Sequence, residues 1–181
     1  MLPTRFLVPA VALTLVLELL VPGAASAREK GTVELGMDGF IGIRDYSNDH
    51  AFIVSVPISS VRAGYYVSER NVLEPSLGFN FISIGDESLT ELNFDLGLLL
   101  GMEDVGRTTP YFRVGGGILL LNDNGSETQF SVGIAAGIRI PTGDRFAVRL
   151  QGGVDHNFDG NGNLQESNDF GVKAGFSFFT R

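Results

Sequence analysis

The chain has 181 residues, with 13 Lys and Arg against 21 Asp and Glu, so its formal net charge is −8; it has no Cys. This negative charge argues against nucleic acid, or any anionic surface, as a partner bound through bulk electrostatics. An exported chain without Cys relies on burial and backbone pairing instead of disulfides.

The first 27 residues have the pattern of a secretory signal peptide. Arg5 supplies the positive charge, residues 6–17 form an uncharged apolar run, and Ala25-Ser26-Ala27 has the small-residue pattern of a cleavage site. We predict cleavage between Ala27 and Arg28. The alternative, an uncleaved anchor helix, is disfavoured because the run is shorter than the ~20 residues that a membrane helix needs. Residues 28–181 then form one domain.

Eight segments of the mature chain alternate apolar residues with small or polar ones, which is the period of a β-strand. The clearest is 128–140, where every second residue from Phe130 to Ile140 is apolar. In chain order, the predicted strands cover residues 33–41, 52–58 with a continuation toward Tyr66, 73–81, 91–100, 111–120, 128–140, 146–155 and 170–178. Proline is tolerated only at sheet edges and bulges, so Pro57 predicts an irregularity at residues 57–60.

The predicted connections fall into two sets. One set is residues 68–71, 102–109 and 141–144; the other is generally longer and richer in Asp, Asn, Gly and Ser, and comprises residues 44–50, 85–90, 122–127 and 157–169. Short turns at one end and longer polar loops at the other are typical of an outer-membrane barrel. An even number of strands then places both termini at the short-turn end, in the periplasm.

The charged residues of the strands fall on the small, polar parity. The predicted lumen charges are Glu34, Asp38, Glu74, Asp95, Arg113, Arg139, Arg149 and Lys173. A cation at the centre of a lipid-facing surface costs about 2–4 kcal/mol, so charge-free apolar faces favour lipid contact. Because the lumen set has both signs, we predict a salt-bridged plug in a lumen that eight strands nearly fill. A gate or narrow ion path is the alternative function of this set.

A soluble lipocalin-like barrel shows the same alternation with the apolar side chains inside. Such a barrel would bind a small apolar ligand in its interior. Two features of the sequence disfavour this alternative. The polar parity is dominated by Gly, Ser and Ala, which are too small and uncharged for a solvated exterior, and the Phe and Leu residues would overfill an eight-stranded interior. We therefore predict an all-β, eight-stranded, antiparallel, up-and-down transmembrane β-barrel.

Three segments resemble the outer-membrane β-barrel domain family, the eight-stranded OmpA/OmpX-like small barrels. Residues 63–70 (AGYYVSER) resemble the family's turn between strands two and three, and residues 110–117 (PYFRVGGG) resemble its Pro-Tyr opening of strand five. Residues 173–179 (KAGFSFF) resemble the C-terminal signal read by the barrel-assembly machinery, although Thr180 and Arg181 follow where the family often ends on an aromatic residue.

The resemblance implies an outer-membrane location in a Gram-negative bacterium, with a structural, envelope-integrity or surface-interaction role. It implies outer-membrane lipid and lipopolysaccharide as surroundings and the barrel-assembly machinery as a partner during biogenesis. The residues that match the assembly signal are Gly175, Phe176, Phe178 and Phe179.

Some small barrels of this class modify lipid A, and such enzymes need His together with Ser and an acid. The chain has two His, His50 and His156, and Ser167 follows the second in the last predicted loop. The His-x-Ser pattern of the deacylases is absent. We therefore expect no catalytic residues, and a lipid A-modifying enzyme stays the second alternative.

Residues 159–163 (DGNGN) resemble the start of a calcium-binding EF-hand loop. The complete pattern requires Gly and Glu where the chain has Leu164 and Phe170. We expect a turn built from residues that tolerate positive φ, with no metal site and no cofactor. Weak binding of divalent cations by the acidic loops, or bridging through them to lipopolysaccharide, is a hypothesis.

Overall fold

Eight antiparallel strands close into a barrel in which each strand pairs with the next and the last pairs with the first. The computed structural model describes residues 31–46, 49–84, 87–101, 107–122, 126–160 and 165–180, so the predicted signal peptide and its cleavage site lie outside the described residues. The strands are β1 (Val33–Tyr46), β2 (Asp49–Tyr66), β3 (Asn71–Ile84), β4 (Glu87–Leu100), β5 (Thr109–Asn122), β6 (Ser126–Pro141), β7 (Phe146–Asn157) and β8 (Ser167–Phe179). The predicted all-β up-and-down barrel is confirmed.

The strands extend further than the sequence pattern predicts at the end away from the chain termini. We call this the distal end and the end holding Val33 and Phe179 the basal end. Residues 47–48, 85–86 and 123–125 are all that separates the strands in three distal connections, and residues 158–166 separate β7 from β8. The prediction that the distal connections are generally the longer set is therefore wrong for three of the four. The hairpins continue beyond the apolar pattern because backbone pairing does not require apolar side chains.

β2 carries the predicted irregularity. Opposite β1, Asp38 pairs with Ser60 and Phe40 pairs with Ser55, so β2 advances five residues while β1 advances two. The three extra residues lie around Pro57, which has no backbone N–H for the ladder. An odd number of extra residues changes which residues of β2 point outward. On the basal side of the insertion the odd-numbered Val61 and Tyr65 are exposed, whereas on the distal side the even-numbered Phe52 and Val54 are exposed.

Large apolar side chains cover the outside of the barrel. Phe52 is 72% exposed, Ile134 is 62% exposed, and comparable residues occur on all eight strands. Polar and charged side chains are buried on the inside, among them Glu34, Arg62 and Arg149. The soluble alternative required the reverse arrangement, and this outward apolar surface contradicts it. Within the described residues, no helix is long and apolar enough to span a membrane.

A charge at the centre of the apolar surface is expected to destabilise the barrel in a bilayer. Ile134 lies midway along β6 and points outward. We expect Ile134→Lys to lower the free energy of unfolding by about 2–4 kcal/mol, because the ammonium group must enter hydrocarbon. Denaturant titration of barrels folded into vesicles measures this. Asp144→Lys, at an exposed turn position, is the control, and equal unfolding midpoints for the two variants would contradict lipid contact at Ile134.

Candidate functional site

An ion-paired cluster fills the basal half of the lumen. Its charged members are four guanidinium groups and four carboxylates, so their formal charges cancel. We call this set the basal network: Glu34, Asp38, Arg62, Glu74, Asp95, Arg113, Arg139 and Arg149. Seven of the eight side chains are less than a tenth exposed, and Asp95 is partly exposed.

Arg62 on β2 pairs with three carboxylates of the basal network. Its Nη1 lies 2.8 Å from Glu34 Oε1 and its Nε lies 2.9 Å from Asp38 Oδ2. Its Nη2 donates to Ser177 Oγ at 2.8 Å and to the carbonyl of Phe176 at 3.2 Å. The guanidinium thus ties β2 to both β1 and β8, and each of its nitrogens has an acceptor, as a buried cation requires.

Glu34 is completely buried and receives several donors. Arg139 Nη2 lies 2.5 Å from Glu34 Oε2, and Ser177 Oγ donates to Oε1 at the same distance. The Arg139 guanidinium also packs 5.1 Å from the ring centroid of Phe179 and 5.6 Å from that of Tyr66, which are cation–π distances. These aromatic rings close the basal end of the lumen around the charges.

Glu74 organises the opposite side of the basal network. It forms ion pairs with Arg149 and, at 3.8 Å, with Arg113, which in turn pairs with Asp95. Arg149 also donates to the hydroxyl of Tyr111 at 3.1 Å. The Tyr111 hydroxyl donates to Gln151 Oε1 at 3.1 Å.

Glycine provides the space for two of the guanidinium groups. A Cβ at Gly36 would collide with the Arg62 guanidinium, and one at Gly97 would come within 2.5 Å of Arg113 Nε. Both distances are below those of ordinary packing. The small residues of the lumen parity are therefore complementary in shape to the large cations that occupy it.

A second ion-paired group lies near the distal end. Arg44 Nε and Nη2 lie 2.7 Å and 2.9 Å from the two oxygens of Asp169, a bidentate pairing, and Nη1 lies 3.0 Å from Glu91 Oε1. We call these three residues the distal triad. The triad joins β1, β8 and β4 across the lumen.

A cavity of about 80 Å³ lies between the basal network and the distal triad. Asp155 and Lys173 line it; within the described residues neither makes a hydrogen bond or an ion pair shorter than 4 Å, although the two opposite charges attract each other across the cavity. Asn93 also lines it, and its buried Oδ1 has no hydrogen-bond partner in the described structure. A polar cavity of this size admits water.

All eight lumen charges predicted from the sequence point into the lumen. Seven of them belong to the basal network, whereas Lys173 stands apart in the cavity. Sequence reasoning missed Arg62, which pairs with three carboxylates, and the distal triad. Extending the alternation of residues 52–58 places Arg62 on the lipid side, so only the register of the irregularity at Pro57 reveals its position.

The residues weighed for catalysis do not form a site. In the β7–β8 pairing His156 opposes Asn168 and its Nδ1 lies 3.0 Å from Asn168 Oδ1, while Ser167 is buried and accepts from Asn157 Nδ2 at 3.1 Å. His156 and Ser167 therefore lie on opposite faces of the wall. His50 lies at the distal end of β2, with its Nδ1 2.6 Å from Asp45 Oδ1.

The candidate calcium loop is only partly within the described residues. Asp159 Oδ1 accepts the backbone N–H of Glu166 at 2.9 Å, so this carboxylate bridges the loop that it begins. Residues 161–164 lie outside the described part. Among the described residues, no group of three or more His, Cys, Asp or Glu is arranged to hold a metal ion.

The fold has counterparts among solved structures. Neisserial surface protein A matches with a TM-score of 0.59 and 15% identity, over 82% of this chain and 98% of that one. Ail, the attachment invasion locus protein of Yersinia pestis, matches with a TM-score of 0.51 and 10% identity, over 83% of this chain and 99% of that one. A second structure of Ail, in complex with the heparin analogue sucrose octasulfate, gives a TM-score of 0.54 and 9% identity over the same shares.

The chain has the fold of the eight-stranded outer-membrane barrels. No protein-family model and no curated protein matches the sequence. The resemblance therefore rests on three-dimensional structure, and at these identities it establishes the fold alone.

The C-terminal strand of the barrel presents two kinds of aromatic residue. Phe176 and Phe178 point outward, and the Phe178 ring lies 5.3 Å from that of Phe146 on β7. Phe179 points inward onto Arg139, and Gly175 packs tightly against Asp38. Thr180 occupies the next outward position and hydrogen-bonds the backbone of Val33.

Removing the charge of Glu34 is expected to be costly. Glu34→Gln keeps the shape but removes the carboxylate that pairs with Arg139 and one of the three that pair with Arg62, so we expect the free energy of unfolding to fall by about 3–5 kcal/mol. Denaturant titration in detergent micelles measures it. Asp45→Asn is the matched control, because Asp45 and its partner His50 are exposed and such pairs contribute at most about 1 kcal/mol. If the two substitutions cost the same, the basal network does not stabilise the barrel.

Proposed function

We propose that this protein is an integral outer-membrane barrel of a Gram-negative bacterium with a structural, envelope-integrity or surface-interaction role and no catalytic activity. One observation carries the proposal: an outward apolar surface surrounds a lumen that a charge-balanced, ion-paired network closes. A wall with this polarity is satisfied by lipid outside and by its own side chains inside. The lumen is not an open pore for solutes.

The proposed topology follows from the positions of the termini. Val33 and Phe179 lie at the same end, since Glu34 pairs with Phe179 across β1 and β8. An N-terminal signal peptide cleaved between Ala27 and Arg28 delivers the chain to the periplasm, so we assign the basal end to the periplasm and the distal end to the cell surface. Outer-membrane lipid and lipopolysaccharide then surround the apolar surface.

Assembly by the barrel-assembly machinery is part of the proposal. The strand that ends at Phe179 carries Gly175, Phe176 and Phe178 at alternating inward and outward positions, as a recognised C-terminal strand requires. In the folded protein this strand, β8, pairs with β1 and closes the barrel. The absence of catalysis is a proposal too, supported by the separation of His156 from Ser167 on opposite faces of the wall.

Cell fractionation tests the proposed location. We expect the mature protein to stay with outer membranes after washes with high salt and alkali, because its Phe and Leu residues are immersed in lipid. Immunoblotting of the membrane and soluble fractions measures this, with a peripheral membrane protein as the control that the washes release. Recovery of the folded protein in the soluble periplasm would overturn the proposal.

A further inference from the structure

One seam of the barrel is incomplete. The β2–β3 ladder runs from Tyr66 opposite Val72 to Ser60 opposite Gly78 and has no further pair among the described residues. The ladders on either side continue to the distal end: β1–β2 to Tyr46 and Asp49, and β3–β4 to Ile84 and Glu87. Within the described residues, the distal parts of β2 and β3 therefore show no pairing with each other.

The unpaired part of the seam lies within the apolar surface. Phe52, Val54 and Ile58 on β2 and Phe79 on β3 are exposed large apolar residues beside it. Open sheet edges are not stable in hydrocarbon unless they line a water-filled or protein-lined cavity. The proposed membrane location thus requires polar groups behind this seam.

The lumen cavity supplies them. Its lining includes Ser59, Ser60 and Gly78, the last residues of the seam, together with Asn93, Asp155 and Lys173 on the wall behind. The other charged residues of the lining already form ion pairs: the distal triad, and Asp95 with Arg113. The cavity therefore reaches the point where β2 and β3 separate. The Lys173 ammonium, the Asp155 carboxylate and the Asn93 carbonyl oxygen all lack hydrogen-bond partners in the described structure.

We propose that the β2–β3 seam is a lateral opening through which the zwitterionic headgroup of a phospholipid enters the lumen cavity. Lys173 binds the phosphate, while Asp155 and Asn93 accept from the ammonium group. The acyl chains stay outside against Phe52, Val54 and Phe79. This assignment rests on the proposed membrane location, and it commits to a headgroup with both signs because the cavity offers one charge of each sign that makes no hydrogen bond.

The opening itself is testable with an engineered disulfide, since the chain has no Cys. On the β1 side, pairing resumes at Ser55 after the irregularity, two positions along β1 from the partner of Ser60. If pairing with β3 resumed in the same way, two positions beyond Gly78, Ser55 would oppose residue 80 and Val54 would oppose Phe81. We expect Val54→Cys/Phe81→Cys to stay reduced under mild oxidation in micelles, because cysteines whose Cα atoms are more than about 7 Å apart cannot be bridged. Gel mobility with and without reductant measures this.

Phe79→Cys/Leu92→Cys is the matched control, because these outward residues oppose each other in the intact β3–β4 ladder. We expect this pair to form the disulfide. If both pairs form the disulfide equally well, the seam is closed and the proposed lateral opening is wrong. This conclusion does not depend on the result of the fractionation. Fractionation tests the membrane location separately, so failure of one proposal is distinguishable from failure of the other.

Binding of the headgroup is tested with soluble short-chain lipids. Dihexanoyl phosphatidylethanolamine is titrated by calorimetry into the barrel held in maltoside micelles, beside dihexanoyl phosphatidylglycerol, which has the same chains and no cation. We expect saturable binding of the first lipid, weakened roughly tenfold by Lys173→Met and by Asp155→Asn, because each removes one charge-assisted hydrogen bond.

Arg145→Met and Asp144→Asn are the matched charge controls, since both residues are exposed in the turn between β6 and β7. We expect neither to change binding. Equal affinity for the two lipids, or binding that Lys173→Met leaves intact, would overturn the assignment of the headgroup. Thermal unfolding of each variant excludes misfolding as the cause of a lost signal.

Discussion

The structure depends on the burial of eight charges inside a wall that is one strand thick. Successive residues of each strand face opposite media, so a charge that is excluded from lipid must enter the lumen. There it loses its hydration and has to be compensated by a nearby opposite charge and by hydrogen bonds. The four guanidinium groups and four carboxylates of the basal network balance each other's charge, and Ser177 and Tyr111 add hydrogen bonds; Arg139 Nε alone among their buried polar atoms has no hydrogen-bond partner in the described structure.

That requirement explains the composition of the lumen. Large cations need space, which Gly36 and Gly97 provide beside Arg62 and Arg113. The other two cations pack on aromatic rings: Arg149 lies 5.0 Å from the ring centroid of Tyr111, and Arg139 lies 5.1 Å from that of Phe179. The small and aromatic residues of the inward parity are thus a consequence of the charges that they surround. A lumen packed in this way has little room for solutes in its basal half.

Much of the fold could be predicted from the sequence because a period of two is a strong local signal. It separated the two faces of each strand and placed all eight predicted lumen charges on the inward side. Strand ends were less predictable, since Arg44 and Asp169 lie in paired hairpin extensions whose polar residues read as loops. Pairing partners across the lumen depend on tertiary geometry, and no local pattern encodes which carboxylate Arg149 meets.

Arg62 shows a different kind of limit. Its side chain reaches the lumen because three extra residues around Pro57 reverse the facing of β2, and alternation alone places it in lipid. The irregularity at Pro57 therefore contributes to the charge balance of the lumen. Without it, the basal network would contain three guanidinium groups and four carboxylates.

The same irregularity also bears on the incomplete seam. Beyond Ser60, β2 continues its ladder with β1 but not with β3, so the position at which Arg62 turns inward adjoins the position at which the wall separates. Basally, Arg62 ties β2 to β1 and β8 through Glu34 and Ser177. Because Arg62 holds β2 against its neighbours at the basal end, the distal parts of β2 and β3 can separate while the basal half of the barrel stays closed. In this barrel, charge balance and lateral access therefore depend on one local change of register.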